Sequence, residues 1–197
     1  MKDKLVLLAF AAACVPAAWL GVQFLTVGLG ANPVEALLNG LGYITFVFLA
    51  LTLACTPAQI LLGWKWPLRV RKLLGDFCFF YGSLHMLTYL VLDQGLALGD
   101  IVQDVLKHKF ILLGMATWTL LLPLAITSTS GWQKRLGFRR WKLLHRLVYL
   151  AGALASFHFF LRFKTPRIET IVWMSVIALL LLVRVVETAR RRMLHSR

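Results

Sequence analysis

Acidic residues are scarce in this chain, which has 8 Asp and Glu against 22 Lys and Arg among its 197 residues. Charged residues of both signs make up 15% of the sequence, whereas soluble domains carry roughly a quarter. Hydrophobic residues reach 59%, so the composition excludes an ordinary soluble domain. The net charge of +14 is spread over short clusters between apolar runs, which favours membrane topology over nucleic-acid binding.

Cysteine is equally sparse, and Cys14, Cys55 and Cys78 all lie in apolar segments without a CxxC or CxxCH motif. This pattern excludes a covalently attached c-type haem and an iron–sulfur site, and it favours three buried free thiols. Walker, GxGxxG and HExxH motifs are also missing, so no hydrolytic or soluble dinucleotide chemistry is encoded. The loops are too short for a second domain, and residues 1–197 are predicted to form one unit.

Long apolar runs, by contrast, are plentiful. A membrane-spanning helix needs roughly 20 largely apolar residues. Six segments qualify, at about 5–26, 42–63, 74–92, 110–127, 143–162 and 168–186. The sequence therefore predicts an all-α, polytopic bundle of six transmembrane helices. Asp76, Arg146 and Arg184 lie near predicted ends, where a long side chain can reach the lipid headgroups.

Lys and Arg are unevenly distributed between the loops, which predicts the orientation. One side would carry Lys2, Lys4, Lys65, Arg69, Arg71, Lys72, Lys134, Arg135, Arg139, Arg140, Lys142, Arg190, Arg191, Arg192 and Arg197. Both termini are therefore predicted to be cytoplasmic, although the last outer loop, with Arg162, Lys164 and Arg167, opposes the rule. In the first outer loop, an N-cap at Asn32 followed by Pro33 predicts a short surface helix.

Three histidines, His85, His145 and His158, lie inside or at the edge of predicted spans. An ionisable side chain there is usually turned inward, and a neutral imidazole is a standard axial ligand of haem iron. Since His85 and His158 fall in the outer halves of two different spans, we predict that they clamp one haem. His145 lies about 20 Å from His158 along a helix and points about 140° away, so a second cofactor and a purely interfacial role both stay open.

Other side chains are weaker candidates. Met86, Met115 and Met174 are possible additional iron ligands, while Gly152 and Ser156 would leave space for a flat macrocycle. Arg71, Lys72, Arg139 and Arg140 are topological signals first, but they could also pair with haem propionates, a flavin phosphate or a partner protein.

Several short strings of residues give this sequence a specific resemblance to a known family. They are Gly28-Leu-Gly-Ala-Asn-Pro33, Arg71-Lys-Leu-Leu-Gly75, His85-Met-Leu-Thr-Tyr-Leu90, Leu124-Ala-Ile-Thr-Ser128, Trp141-Lys-Leu-Leu-His145-Arg-Leu-Val-Tyr149 and His158-Phe. With these strings the chain resembles the haem-binding membrane subunits (MsrQ) of periplasmic methionine sulfoxide reductase systems, within the ferric-reductase-like transmembrane domains. The similarity extends over about residues 20–190.

The resemblance implies a bacterial inner-membrane, multi-pass electron-transfer subunit that binds haem b and FMN. It implies His85, His145 and His158 as haem ligands, with Arg71 and Arg139 as further cofactor-binding candidates. Electrons would come from the quinone pool or a cytosolic flavin reductase. They would pass to a periplasmic molybdopterin subunit (MsrP), which carries out the sulfoxide chemistry in damaged proteins.

Two alternatives remain. A stand-alone ferric or quinone-linked reductase of the same fold would be favoured by a long cytoplasmic FAD/NADPH domain, which this sequence does not contain. A cofactor-free transporter or scaffold would use the histidines as helix contacts or proton relays, and transporters often show repeat symmetry and broken helices, which are not evident here.

Overall fold

The computed structural model describes residues 2–26, 28–163, 165 and 167–195, and the regular structure in these ranges is helical throughout. The helices are α1 (Lys2–Thr26), α2 (Pro33–Leu62), α3 (Pro67–Leu87), α4 (Leu98–Lys107), α5 (Lys109–Ile126), α6 (Ser130–Leu136), α7 (Phe138–Leu144), α8 (Leu147–Leu161) and α9 (Ile168–His195). A π-helical segment, Thr88–Asp93, extends α3. The predicted all-α class is therefore confirmed.

Five helical segments are long and apolar enough to cross a membrane, judged on the described residues. They are Lys4–Thr26, Pro33–Leu62, Lys109–Ile126, Phe138–Leu161 and Ile168–Arg191. The predicted span at 74–92 is helical too, but it is not among the five. Because α3 begins with basic residues and carries Asp76, its composition is less apolar than that of the other helices. The count of six spans thus stays a prediction.

Helix α2 begins as the sequence predicts and then continues much further. The Asn32 side chain accepts a hydrogen bond from the Glu35 backbone N–H at 3.3 Å, and Pro33 takes the first helical position. The prediction of a separate surface helix was wrong, because α2 continues from Pro33 to Leu62, past Pro57, until Gly63 ends it in the left-handed conformation, at φ 70°. The first outer loop is accordingly only a few residues long.

The predicted span 143–162 is interrupted near its start. Helix α7 ends at Leu144 and α8 begins at Leu147, with tighter i→i+3 bonds from Arg146 N–H to Leu143 O and from Tyr149 N–H to Arg146 O. His145 lies in this break, so the angle expected on one ideal helix between His145 and His158 does not apply. The Trp141 indole N–H donates to Thr127 O at 2.8 Å and ties α7 to the end of α5.

Two helix pairs, α2 with α3 and α5 with α8, form the centre of the bundle. Helix α9 packs across α8 and α2, and α1 packs on α3. The core contains Leu49, Leu53, Tyr81, Ala151 and Ile177, all of them buried. By contrast α1 and α9 expose many large apolar side chains outward, as helices that face lipid do.

Candidate cofactor site in the helix bundle

One end of the bundle encloses a cavity of about 530 Å³, here named the His85–His158 cavity. It lies between the start of α2, the end of α3, the start of α5 and the end of α8. The imidazoles of His85 and His158 face each other inside it, with ring centroids 6.2 Å apart and ring planes 75° apart. The fold thus brings together two of the three histidines that the sequence singled out.

Hydrogen bonds fix the same tautomer on both rings. The Nδ1 atom of His85 lies 3.0 Å from Leu38 O, and that of His158 lies 2.6 Å from Phe110 O. Because a carbonyl oxygen only accepts, each Nδ1 carries the proton and each Nε2 keeps its lone pair. Metal-binding histidines are held in this way, with the second ring nitrogen donating to a backbone carbonyl.

The spacing of the two rings fits a haem between them. Two imidazoles on opposite sides of one metal have centroids about 6 Å apart, since each metal–nitrogen bond is about 2 Å and each centroid lies about 1 Å beyond its nitrogen. The observed 6.2 Å agrees with this spacing. Within the described residues no group of three or more His, Cys, Asp or Glu could hold a metal ion.

Two glycines make room for these rings. A Cβ on Gly42 would lie 3.1 Å from His85 Cε1, and a Cβ on Gly114 would lie 2.8 Å from His158 Cε1. Each glycine stands four residues after the carbonyl that holds the ring, Leu38 in α2 and Phe110 in α5. The same local arrangement, a backbone carbonyl followed four residues later by a glycine, therefore positions both imidazoles.

The mouth of this cavity is polar. Arg162 donates to Asn39 Oδ1 and lies 4.9 Å from the Phe163 ring centroid. Burial lowers the pKa of the Arg162 guanidinium, and the Glu35 carboxylate opposes this change. An arginine stays charged under all ordinary conditions. The mouth therefore offers a fixed cation to carboxylates of a ligand inside.

A second carboxylate organises the other side of the mouth. Asp104 in α4 accepts hydrogen bonds from the Tyr89 hydroxyl at 2.9 Å and the Gln94 amide at 3.5 Å. His108 Nδ1 lies 2.8 Å from the same carboxylate. These bonds hold α4 against the π-helical end of α3, so they shape the mouth without reaching the His85–His158 pair.

His145 lies in a different cavity, of about 490 Å³, at the opposite end of the bundle. Its ring stacks on Trp141, with centroids 4.1 Å apart, and its Nε2 lies 3.1 Å from Thr127 Oγ1. Since the Thr127 hydroxyl already donates to Pro123 O at 2.6 Å, it accepts from His145, whose Nε2 then carries the proton. His145 thus has the opposite tautomer to the facing pair.

Leu49 and Leu121 line both cavities and form the wall between them. Arg71 lines the His145 cavity, whereas Arg139 is exposed and lines neither cavity. Met86 and Met115 line the His85–His158 cavity, but Met174 does not.

The prediction that Gly152 and Ser156 leave space for a flat macrocycle was wrong. A Cβ on Gly152 would lie 2.9 Å from Leu53 Cδ1, so this glycine allows α8 to approach α2 closely. Ser156 is buried and donates to Gly152 O at 2.8 Å. Lys164, part of the predicted basic outer loop, lies outside the described residues.

The sequence did not predict the position of the Arg184 side chain, which was expected to reach the lipid headgroups. Instead its Nη2 donates to Leu53 O at 2.6 Å and its Nη1 to the Tyr149 hydroxyl at 3.0 Å, on the wall of the His145 cavity. Its position within an apolar helix was the signal available, because a charge there is usually turned toward the interior of a bundle.

The model of the family described as "Ferric reductase like transmembrane component" matches residues 40–156. A protein of Rhodospirillum rubrum, named "Protein-methionine-sulfoxide reductase heme-binding subunit MsrQ", is 45% identical over 97% of this chain and 92% of its own length. Proteins of the same name from Herminiimonas arsenicoxydans and Deinococcus radiodurans are 43% and 44% identical, each over 89% of this chain, and over 82% and 87% of their own lengths.

Proposed function

Because this chain belongs to the ferric-reductase-like transmembrane proteins and, within them, to the MsrQ heme-binding subunits, we propose that it carries electrons through a membrane to a protein-methionine-sulfoxide reductase. The observation that carries the proposal is the facing pair of imidazoles, each held through Nδ1, which leaves the lone pair of Nε2 available to a metal. A b-type haem bound there would supply a one-electron iron couple.

The residues of this chain hold and tune the site. His85 from α3 and His158 from α8 would hold the haem iron through their Nε2 atoms, so the site exists only when both helices are packed. Hydrogen bonds from Nδ1 to Leu38 O and Phe110 O orient the rings and make Nε2 more basic. Arg162 at the mouth is the cation available to haem carboxylates.

The proposed topology has six spans with both termini in the cytoplasm. The sixth span would be α3 with its π-helical extension, which together run from Pro67 to Asp93 and pack against α2 in the centre of the bundle. The bundle end with the His145 cavity carries the basic α2–α3 and α5–α8 connections, so it would face the cytoplasm. The His85–His158 cavity would then open to the periplasm of a bacterial inner membrane.

This orientation gives electron flow a direction. Electrons would enter near His145, from the quinone pool or a cytosolic flavin reductase. They would leave near His158 toward a periplasmic molybdopterin subunit (MsrP) that reduces methionine sulfoxide. FMN is proposed as a second cofactor on the strength of the resemblance alone.

Reduced-minus-oxidised absorbance spectra of the purified protein test the ligand set. We expect His85→Ala and His158→Ala each to lose most haem absorbance, because neither helix alone holds an iron between two imidazoles. His145→Ala should keep this haem but accept electrons slowly from a cytosolic donor. Full haem content in both His85→Ala and His158→Ala would refute the assignment.

His108→Ala is the matched control for these spectra. This histidine lies at the mouth of the same cavity, is half exposed and bonds to Asp104, not to a partner inside the bundle. Its haem content should therefore equal that of the unmodified protein. If His145→Ala accepts electrons at the rate of the unmodified protein, His145 does not lie on the electron path.

A further inference from the structure

Helix α4 has an apolar face that the bundle covers only in part. At about 100° per residue, five apolar side chains fall on one side of this helix. They are Leu98, Ile101, Val102, Val105 and Leu106. Ile101 is only 6% exposed, so one edge of the face packs against the bundle. Along the other edge Leu98 and Leu106 are each 76% exposed and Val102 is 57% exposed. These three residues, spaced four apart, are here named the α4 apolar stripe.

The polar side chains of α4 lie on its two remaining sides. Asp104 faces the mouth of the His85–His158 cavity, where it accepts a hydrogen bond from the Tyr89 hydroxyl at 2.9 Å. Asp100, Gln103 and Lys107 are exposed and lie together on the third side. The helix thus presents one side to the protein, one apolar side and one polar side to its surroundings. A helix that lies in a membrane surface meets these three environments, namely protein, acyl chains and water.

The place of α4 in the chain puts it near the membrane surface. It follows the π-helical end of α3, and only His108 separates it from α5, which is long and apolar enough to cross a membrane from Lys109 onward. A ten-residue helix in this position lies close to the level at which α5 enters the bilayer. Exposed apolar side chains are present on both sides of α4 along the chain, at Leu92 and Leu96 before it and at Leu112 after it. The apolar outer surface of the spans therefore continues into α4.

The chemistry of α4 favours lipid over a soluble protein as the occupant of the apolar stripe. A partner that binds and leaves would return three large apolar side chains to water each time, whereas a bilayer covers them permanently. Transient interfaces are also only about as apolar as the rest of a protein surface. On the polar side Asp100 and Lys107 carry opposite charges, so this side has no net attraction to anionic headgroups. Burial of apolar surface is therefore the driving force.

We propose that α4 is an interfacial helix whose apolar stripe, Leu98, Val102 and Leu106, inserts among the lipid acyl chains at the His85–His158 end of the bundle. Its polar side lies in water, and Asp104 holds the helix to the end of α3. The membrane surface then runs along one side of the cavity mouth, and a soluble partner reaches the mouth from the remaining sides. This inference depends on the membrane bundle alone, and not on the proposed electron transfer.

Spin labels on two neighbouring residues test the proposal. Val102→Cys and Gln103→Cys are made separately after replacement of Cys14, Cys55 and Cys78, and each labelled protein is reconstituted in phosphatidylcholine nanodiscs. Relaxation of the label by molecular oxygen, which concentrates among acyl chains, is compared with relaxation by a water-soluble nickel chelate. Oxygen should be the more effective reagent at position 102, and the nickel chelate at position 103. Position 103 is the matched control, because it is equally part of α4 and exposed but lies on the polar side.

Photolabelling of the unmodified protein makes the test independent of the cysteine replacements. A phosphatidylcholine with an aryl diazirine at the end of one acyl chain is included in the nanodiscs, and the labelled residues are identified by mass spectrometry after irradiation. We expect label on the α4 apolar stripe and none on Gln103. Addition of phosphatidylglycerol should leave this pattern unchanged, because the contact is apolar.

Two outcomes would overturn the proposal, and each identifies a different occupant. If the nickel chelate is the more effective reagent at position 102 and the stripe takes up no photolabel, the stripe faces water and is a surface for a soluble protein. If neither reagent reaches position 102 and the stripe again takes up no photolabel, a second copy of this chain covers it. Should the labelled variants fail to fold, the photolabelling pattern of the unmodified protein decides.

Discussion

At the scale of single residues, the positions of the two imidazoles depend on the absence of a Cβ at Gly42 and Gly114. In both helices a backbone carbonyl, Leu38 O or Phe110 O, accepts from a histidine Nδ1, and the residue one turn later is glycine. A side chain at that position would project into the ring. The orientation of each imidazole therefore also depends on a glycine that makes no hydrogen bond to it.

Gly114→Ala tests this device. Its Cβ would lie 2.8 Å from His158 Cε1 and 2.9 Å from Nδ1, so the ring must move and lose its bond to Phe110 O. Overpacking of this kind costs about 1–3 kcal/mol. We expect lower haem content and a shifted redox midpoint potential, with a weaker effect for Gly42→Ala, where the nearest ring atom is 3.1 Å away.

The control for this pair is Gly21→Ala in α1, where an added Cβ meets nothing within 4 Å. It should leave both the haem content and the potential unchanged. A Gly114→Ala protein with the spectrum and potential of the unmodified one would show that His158 is not held against α5 when haem is bound.

At the scale of helices, a buried hydroxyl joins α1 to α3. Tyr81 donates to Ala13 O at 2.7 Å and accepts from Ala17 N–H at 3.1 Å, which places its hydroxyl within the backbone ladder of α1 beside Pro16. The Tyr81 hydroxyl thus joins α3 to α1 at the turn of α1 that contains Pro16.

Tyr81→Phe should loosen α1. It leaves a backbone donor and a backbone acceptor without this partner, at a cost of about 1–3 kcal/mol. The expected result is a lower unfolding temperature in detergent and faster proteolysis near α1, with the His85–His158 haem retained. Tyr43→Phe serves as control, because the Tyr43 hydroxyl makes no hydrogen bond among the described residues. Equal stability of the two variants would contradict this account.

At the scale of the whole molecule, the two cavities stand at opposite ends of one bundle and share only a thin apolar wall at Leu49 and Leu121. An electron path across the membrane would use both ends in series. Basic side chains predominate around the His145 cavity, whereas the mouth of the other cavity carries both acidic and basic side chains. The two ends of the bundle therefore differ in charge.

Cysteine labelling tests the orientation. Single cysteines at Asp100 and Arg139, both exposed, are introduced after replacement of Cys14, Cys55 and Cys78. An impermeant maleimide should label position 100 in intact cells, and position 139 only after the membrane is opened, because basic loops stay cytoplasmic. Labelling of position 139 in intact cells would show that the predicted orientation is wrong.

Local features of the sequence predicted much of the fold. Apolar runs of the length of a bilayer placed the helices, since that requirement acts on each segment separately. The Asn32 cap was predicted for the same reason, because it involves residues three apart. The break at His145 was not predicted, because the bond from Trp141 to Thr127 O ties α7 to another helix. The continuity of α2 from Pro33 to Leu62 was not predicted either, although the cap that begins this helix was.

The sequence by itself determined that this is a helical membrane protein with three histidines in its apolar segments, because hydrophobicity and charge are properties of the residues alone. Only the tertiary structure decided that His85 pairs with His158 while His145 stands apart, and that Arg184 faces a cavity. These outcomes depend on Leu38 O, Phe110 O and Leu53 O, which lie 47, 48 and 131 residues from His85, His158 and Arg184. The tautomer of a histidine, the pairing of two imidazoles or the surroundings of a charged side chain is set by such distant neighbours, and only packing brings them together.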